Sequence, residues 1–284
     1  MSKRYNNKTN SMNINPVVSI IVITYNRKLL LIEAIKSILN QTYQNFEVIV
    51  VDNSSDYDFF GLLQSFGDER ISGYQIQNHG VIACSRNLGI EKAKGKYLAF
   101  CDDDDLWMPT KLEKQIGILE SGKYDFVSTS IIQFYDGTSE TRFVRQVYKT
   151  KFEPFLLNKI TPSTVIVLNK RDVRFDEDPF YNASEDIACW LKLLLLNYRL
   201  YQIEEPLVLY RVFQHNLSKY NRNPHSKLIK INKNLYKKYR KTYPSNFYIL
   251  AITFHWFMFM MIKTRTFYLI RNIKRCILGN RSKL

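Results

Sequence analysis

Residues 85–107 read SRNLGIEKAKGKYLAFCDDDDLW. Ile82–Lys94 has helical spacing. Gly95 follows where a helix C-terminus favours a residue tolerant of a left-handed backbone. Tyr97–Cys101 is a continuous apolar run, as a strand buried on both faces requires. It runs straight into Asp102, Asp103, Asp104 and Asp105. The next helix is expected from Pro109, at the favoured first position, to about Glu120. Four adjacent carboxylates repel one another, so a fold that holds them at a strand end needs a reason. A hard divalent cation, Mn²⁺ or Mg²⁺, supplies one: it binds carboxylate oxygens and shares its site with substrate phosphates. A solvated acidic loop capping the next helix is the reading for a bare acidic run. Placement between a buried strand and Trp107 favours the cation.

The same grammar extends on both sides. Upstream, Val18–Thr24 (VSIIVIT) and Phe46–Val51 (FEVIVV) are β-branched apolar runs. Between them Leu30, Ala34, Ile35 and Ile38 form one helical stripe. A short helix at Asp58–Phe66 and a weaker strand at Ile71–Gln77 follow. Downstream, strands are expected at Phe126–Ser130, Ile131–Tyr135, Ser163–Leu168, Arg199–Ile203 and Leu207–Phe213. A strongly apolar helix is expected at Ser184–Leu196. Gly137–Phe152 is polar and irregular, with room for a hairpin. Strands alternating with helices predict βαβ units: an α/β fold with a mostly parallel sheet flanked by helices.

In such a sheet, ligands bind beyond the carboxyl ends of the strands. Thr24-Tyr25-Asn26-Arg27 ends the first strand, Asp52 the second, and the four aspartates the fourth. Asp52 alone reads more readily as an Asx turn than as a ligand. Arg86 is suited to a diphosphate or a base edge, or is a plain surface arginine. Glu185 and Asp186 open a helix. Carboxylates there are favoured by the helix dipole, and one could equally be a general base.

Charge is distributed unevenly. After Glu205 the sequence has 17 Lys and Arg and no Asp or Glu, whereas acids and bases nearly cancel before it. The tail therefore calls for an anionic partner, lipid headgroups or nucleic acid. Leu228–Tyr239 reads as a basic helix, Phe247–Ile262 is 16 residues without a charge, and Thr266–Leu278 is basic and amphipathic. That apolar stretch falls short of the about 20 residues a spanning helix needs. An interfacial segment at the cytoplasmic leaflet is favoured over core packing or a span. Cys84, Cys101, Cys189 and Cys276 are scattered without ligand spacing and fit buried thiols in a reducing cytoplasm. Met1–Asn15 lacks the apolar core of a secretory signal.

Taken together, SIIVITYNR (Ser19–Arg27), VIVVDNSS (Val48–Ser55), the stretch from Ser85 to Trp107 and NASEDIACWLKL (Asn182–Leu193) resemble the family 2 glycosyltransferases with the GT-A fold. The resemblance covers about residues 17–218. It implies a metal-dependent, inverting transfer of sugar from a nucleotide diphosphate sugar, with a uridine donor favoured, to an acceptor hydroxyl on a glycan. A lipid-linked acceptor in bacterial surface polysaccharide synthesis is implied with it. By that resemblance Thr24, Tyr25 and Arg27 line the base pocket, Asp52 bonds the base and Arg86 contacts the nucleotide. Asp102 approaches ribose and metal, Asp104 holds the metal, and Asp103 and Asp105 lie along the nucleotide sugar. Asp186 is the catalytic base, with Glu185 beside it. The implied organisation is a lead at 1–15 without structure, a catalytic domain at 16–217 and a basic, membrane-associating helical extension at 218–284. It places the enzyme in the cytoplasm at the inner face of the membrane, with no nucleic acid as partner.

Departures from the family pattern stand at Asn53, where a second acid is frequent, at Tyr57-Asp58, and at Val212-Phe213, where a histidine commonly follows Tyr-Arg and His215 is the nearest. No QxxRW motif is visible, so a single addition is expected. The rival readings are a nucleotidyltransferase, which would need a glycine-rich phosphate loop that Thr24–Lys28 lacks, a nucleic-acid-binding protein with a basic tail, and an inactive sugar- or lipid-binding scaffold.

Overall fold

A computed structural model describes residues 4–6, 15–150, 153–155, 157–213 and 224–239. The chain divides into two units, Met1–Lys149 with Asn158–Arg222, and Thr150–Leu157 with Asn223–Leu284.

The first unit is an α/β layer structure. In chain order it holds β1 (Arg4–Asn6), β2 (Val18–Thr24), α1 (Lys28–Leu39), β3 (Phe46–Asp52), α2 (Phe59–Gln64), β4 (Ile71–Gln75), α3 (Ile82–Lys92), β5 (Tyr97–Asp102), β6 (Leu106–Trp107), α4 (Lys111–Glu120), β7 (Phe126–Tyr135), β8 (Thr141–Val144), β9 (Ile166–Leu168), α5 (Glu185–Leu195) and β10 (Leu200–Val212). The sheet order is β1-β4-β3-β2-β5-β9-β7-β10-β6, with β8 on the edge of β7. The long ladders, β2 with β3 and β5, β3 with β4, and β7 with β10, are all parallel. The shorter pairings of β9, β8, β6 and β1 are antiparallel.

Residue alternation in β2 assigns its two faces. Val18, Ile20 and Val22 pack with Leu31, Ile35 and Ile38 of α1 and with Leu112 and Ile116 of α4. Ile21 points the other way, into a cluster with Ile90 of α3 and Cys189, Trp190 and Leu193 of α5. A strand buried on both faces has no polar side to show, which is why these runs are continuously apolar. From β2 the chain goes to β3 and β4 on one side and returns to β5 on the other. The order therefore reverses at β2, and the crevice beyond the ends of β2 and β5 is the switch point where open α/β sheets bind ligands.

Several boundaries differ from expectation. Gly95 does not close a helix with a left-handed backbone: α3 ends earlier, at Lys92, and Ala93 after it is extended. Its need is space. A Cβ on Gly95 would lie 2.5 Å from the Ser19 nitrogen and 2.8 Å from the Val18 carbonyl carbon. Pro109 precedes the turn into α4, which starts at Lys111 behind Thr110. Phe126–Tyr135 is one strand, and so is Leu200–Val212, whose register shifts on either side of Pro206. Proline cannot donate to the ladder, so the strand continues past it through an irregularity. Residues 162–164 form a 3₁₀ turn ahead of the shorter β9. Arg4–Asn6, within the lead expected to lack structure, pairs with the edge of β4. An unpaired strand edge offers such a segment a row of backbone partners.

In the second unit α6 (Pro224–Tyr239) buries Leu228, Ile231 and Leu235, one stripe at helical spacing, and Asn232 Nδ2 donates to the Phe155 carbonyl at 2.8 Å. Among the described residues no helix is long and apolar enough to cross a membrane. The apolar stretch 247–262, the basic stretch 266–278, Cys276 and His215 lie outside the described residues.

Candidate functional site

The loop after β5 is held from three directions by three arginines. Arg86, on α3, donates from Nη2 to Asp102 Oδ1 at 2.8 Å and from Nη1 to Glu185 Oε1 at 2.6 Å. It is buried, so it is not the surface arginine that one reading allowed. Burial alone would lower its pKa, but Asp102 and Glu185 outweigh that and raise it. Arg27, at the start of α1, donates from Nη1 to Asp103 Oδ1 at 3.2 Å and to Asp104 Oδ2 at 2.8 Å. Arg211, near the end of β10, donates from its backbone N to Asp105 Oδ1 and from Nε to the Asp104 carbonyl. Its guanidinium also pairs with Asp136 and Glu33 and lies over the Phe134 ring.

The aspartates are not equivalent. Asp103 is buried; its Oδ2 accepts from Thr24 Oγ1 at 2.7 Å, which ties the end of β2 to the loop after β5. Burial pushes its pKa up to about 7 against the pull of Arg27 and Thr24. Asp104 is partly exposed and is raised by burial and by Asp102. Asp105 is buried, and burial with Asp104 and Asp102 raises it well above the usual carboxylate range. Its Oδ2 accepts no hydrogen bond. The Asp102 amide donates to Ser163 Oγ at 3.0 Å, which fixes the strand end.

Asp52 is fully buried at the end of β3 and makes the Asx turn its residue type favours. Its carboxylate accepts from the Ser55 amide, the Ser55 hydroxyl and Gln75 Nε2. Asn53, at the first departure, accepts from the Asn78 amide at 2.8 Å and so fastens the loop after β4. Asn26, with a left-handed φ of 52°, is bonded to both Ser55 and Asp56. The loops after β2 and β3 thus form one unit. Asp58 caps α2 through the Gly61 amide, and the Tyr57 ring is left to pack against the core. Tyr25 stands at the rim, 55% exposed.

Glu185 and Asp186 open α5 but do different things. Glu185 is buried, with one oxygen on Arg86 and the other accepting from the Ser184 amide. Asp186 is partly exposed. Burial and the neighbouring Glu185 push its pKa up to about 7, with Arg86 pulling the other way. Asp102 acts on Asp186 as well, so the base candidate belongs to the same electrostatic cluster as the acidic loop.

The structure therefore brings together Thr24, Arg27, Arg86, Asp102, Asp103, Asp104, Asp105, Glu185 and Asp186, with Asp52 buried beneath the adjoining turn. It adds Arg211, Ser163 and Tyr210. The Tyr210 phenol is raised by burial and by Asp105, Asp102, Asp104 and Asp186, so it belongs to the cluster too. Tyr210 and Arg211 are the Tyr-Arg pair that the family resemblance marks, but the strand pattern around them gives no sign that they reach the acidic loop. Among the described residues no three His, Cys, Asp or Glu side chains converge on a ready-made metal centre. The all-carboxylate set Asp102 and Asp104 nevertheless suits a hard cation that takes one or two protein oxygens and completes its shell with water and substrate phosphates.

The sequence model of glycosyl transferase family 2 matches residues 19–170. TuaG of Bacillus subtilis (strain 168), a glycosyltransferase assigned to teichuronic acid biosynthesis, is 30% identical over 210 residues, covering 72% of this chain and 83% of that protein. The Escherichia coli UDP-Glc:alpha-D-GlcNAc-diphosphoundecaprenol beta-1,3-glucosyltransferase WfaP is 31% identical over 178 residues, covering 63% of this chain and 70% of that one. The chain spans only 26% to 30% of three longer Rickettsia glycosyltransferases. Among solved structures, S. aureus TarS 1-349 in complex with UDP-GlcNAc superposes with a TM-score of 0.63 at 18% identity, over 78% of this chain and 66% of that one. The Pyrobaculum calidifontis mannosyltransferase PcManGT in complex with GDP-Man and Mn²⁺ gives 0.58 at 17% identity, over 84% and 74%. These structural likenesses establish the fold, the GT-A arrangement of a mostly parallel sheet and flanking helices.

Proposed function

This chain belongs to glycosyl transferase family 2, and from that premise we propose that it moves a sugar from a UDP-sugar onto a hydroxyl of a lipid-linked glycan, with inversion at the anomeric carbon. One observation carries the reading: Arg86 bridges Asp102, at the end of β5, to Glu185, so that the partly exposed carboxylate of Asp186 beside it and the carboxylates suited to a cation belong to one cluster. The donor class is supported by WfaP, whose name specifies UDP-Glc, and by the UDP-GlcNAc complex of TarS. WfaP also names a diphosphoundecaprenol-linked acceptor. Synthesis of a bacterial surface polysaccharide at the cytoplasmic face of the membrane follows from such an acceptor. The lysine-bearing face of α6, with Lys230, Lys233 and Lys237 exposed, suits an anionic membrane.

The residues divide the work. Tyr25, exposed at the rim, offers its ring to the base. Thr24 and Asp103 fix the strand ends around the nucleotide, and Asp52 shapes the turn below it. Arg86 and Glu185 hold Asp102 and the start of α5 in register. A divalent cation held by Asp104 and Asp102 would supply Lewis-acid neutralisation of the departing diphosphate. Asp186 takes the proton of the attacking hydroxyl. A general base works best with a pKa near the operating pH.

The test is transfer itself. Full-length protein is incubated with UDP-glucose or UDP-N-acetylglucosamine, Mn²⁺ and a polyprenyl-diphosphate-linked sugar, and UDP release and elongated lipid are measured. The wild type should elongate the lipid, and Asp186→Asn should lose about 10²–10⁴-fold in turnover with donor binding kept. Wild-type turnover by Asp186→Asn would remove Asp186 from the mechanism.

A further inference from the structure

The three arginines on the acidic loop differ in one respect. Arg86 and Arg211 are sealed in, with 5% and 7% of their side chains exposed, whereas Arg27 keeps 43% exposed. Arg27 also engages its carboxylates through a single terminal nitrogen, Nη1, which sits between Asp103 Oδ1 and Asp104 Oδ2. That nitrogen is a positive charge shared by two carboxylates, the place a cation bound to Asp104 would contest. Asp103 would not be stripped when Arg27 departs, because Thr24 stays on its other oxygen. Asp104 would be: Arg27 is its side-chain ion-pair partner among the described residues. The backbone leading to Arg27 is fixed by Asn26 and its bonds to the β3 turn, and the guanidinium also lies 5.7 Å from the centre of the Phe213 ring, a contact that its departure would give up.

We propose that Arg27 is the resident counter-cation of Asp104 in the donor-free protein, that a divalent ion must displace it, and that the displaced guanidinium then pairs with the donor diphosphate. Guanidinium suits this exchange, since it recognises carboxylate and phosphate with the same planar fork. The consequence is coupling. Cation alone competes with Arg27 and binds weakly. Nucleotide diphosphate gives Arg27 another partner, so each ligand strengthens the other, by reciprocal factors. The inference rests on the reading that Asp104 holds the cation.

The experiment is a Mn²⁺ titration of the full chain followed by electron paramagnetic resonance of free Mn²⁺, with and without UDP, in the wild type, Arg27→Gln, Arg27→Lys and Asp104→Asn. Without UDP, Arg27→Gln should bind Mn²⁺ about fivefold tighter than the wild type, the scale of a half-exposed ion pair. Arg27→Lys should stay near the wild type. The tightening of Mn²⁺ by UDP should shrink in Arg27→Gln. Equal or weaker Mn²⁺ binding by Arg27→Gln, with Asp104→Asn still abolishing it, would overturn the competition and leave the cation seat standing. Binding that is absent, or indifferent to Asp104→Asn, would remove the seat and this inference with it. Circular dichroism of each variant separates these outcomes from misfolding.

Discussion

Arg86 Nη1 and Glu185 Oε1 meet at 2.6 Å inside the protein, from positions 99 residues apart in the chain. Through this contact α3 and α5 reach one another behind the acidic loop, and Asp102 is held by the same guanidinium. Removing one partner of a buried pair strands the other charge, at a cost of about 3–5 kcal/mol. Arg86→Met should therefore destabilise by about that much in urea unfolding. Arg86→Met with Glu185→Leu should lose less than Arg86→Met alone, because the stranded carboxylate is gone. A double variant that loses as much as Arg86→Met alone, or more, would contradict this.

The pKa of Asp186 sets a pH profile. Burial and Glu185 raise it to about 7, and the base must be ionised to accept a proton. kcat/KM, which reports the free enzyme, should climb about tenfold per pH unit up to about pH 7 and level above it. Asp186→Asn should lack that limb. A wild-type profile flat from pH 5 to 8 would mean that another group takes the proton.

Gly95 lies against the backbone of β2, so a side chain there has nowhere to go. Gly95→Ala would place a methyl 2.5 Å from the Ser19 nitrogen. Overpacking of this kind costs about 1–3 kcal/mol. Thermal unfolding should show the loss, whereas Gly117→Ala, whose added carbon meets nothing within 4 Å, should show none or a gain.

Lys111 is fully buried at the start of α4, its Nζ 3.8 Å from the centre of the Trp107 ring and without a hydrogen bond. Burial lowers its pKa from 10.5 to about 7. Between those values the unfolded chain binds a proton that the folded one does not, so this group makes stability rise with pH across that window. Below about pH 7 the folded protein carries the full cost of a buried charge, offset in part by the ring. Lys111→Met keeps the volume and removes the charge. It should raise the melting temperature most below pH 7, with the gain fading towards pH 10. A gain independent of pH would show that the amine is not the cause.

The framework of the fold was legible because its signal is local. Val18–Thr24 and Phe46–Asp52 are buried on both faces, and runs so rich in Val and Ile could be little else. The acidic strand end was legible for the same reason, being four adjacent charges after an apolar run. What escaped is set by contacts distant in sequence. Resemblance to the family pattern marks the Tyr-Arg pair, but it does not show that Arg211 holds the Asp104 backbone across 107 positions. Asp52 and Glu185 are candidates by residue type, which does not show what orients them: Ser55 and Gln75 donate to the one, Arg86 and Ser184 to the other. Residue type cannot tell a carboxylate that binds a ligand from one that holds another residue. Gly95 carried the right letter for the wrong reason: close approach to β2, not a helix end, demands it.

The most direct test of the central claim is thermal stability with UDP, GDP, CDP and TDP, each with Mn²⁺ and again with EDTA, in the wild type and Asp104→Ala. A ligand that binds only the folded state, at 100 times its dissociation constant, stabilises by about 2.7 kcal/mol. The account predicts a rise in melting temperature with UDP and Mn²⁺ that EDTA abolishes and that Asp104→Ala lacks. The absence of a rise with every one of the nucleotides, in protein that unfolds cooperatively, would contradict it.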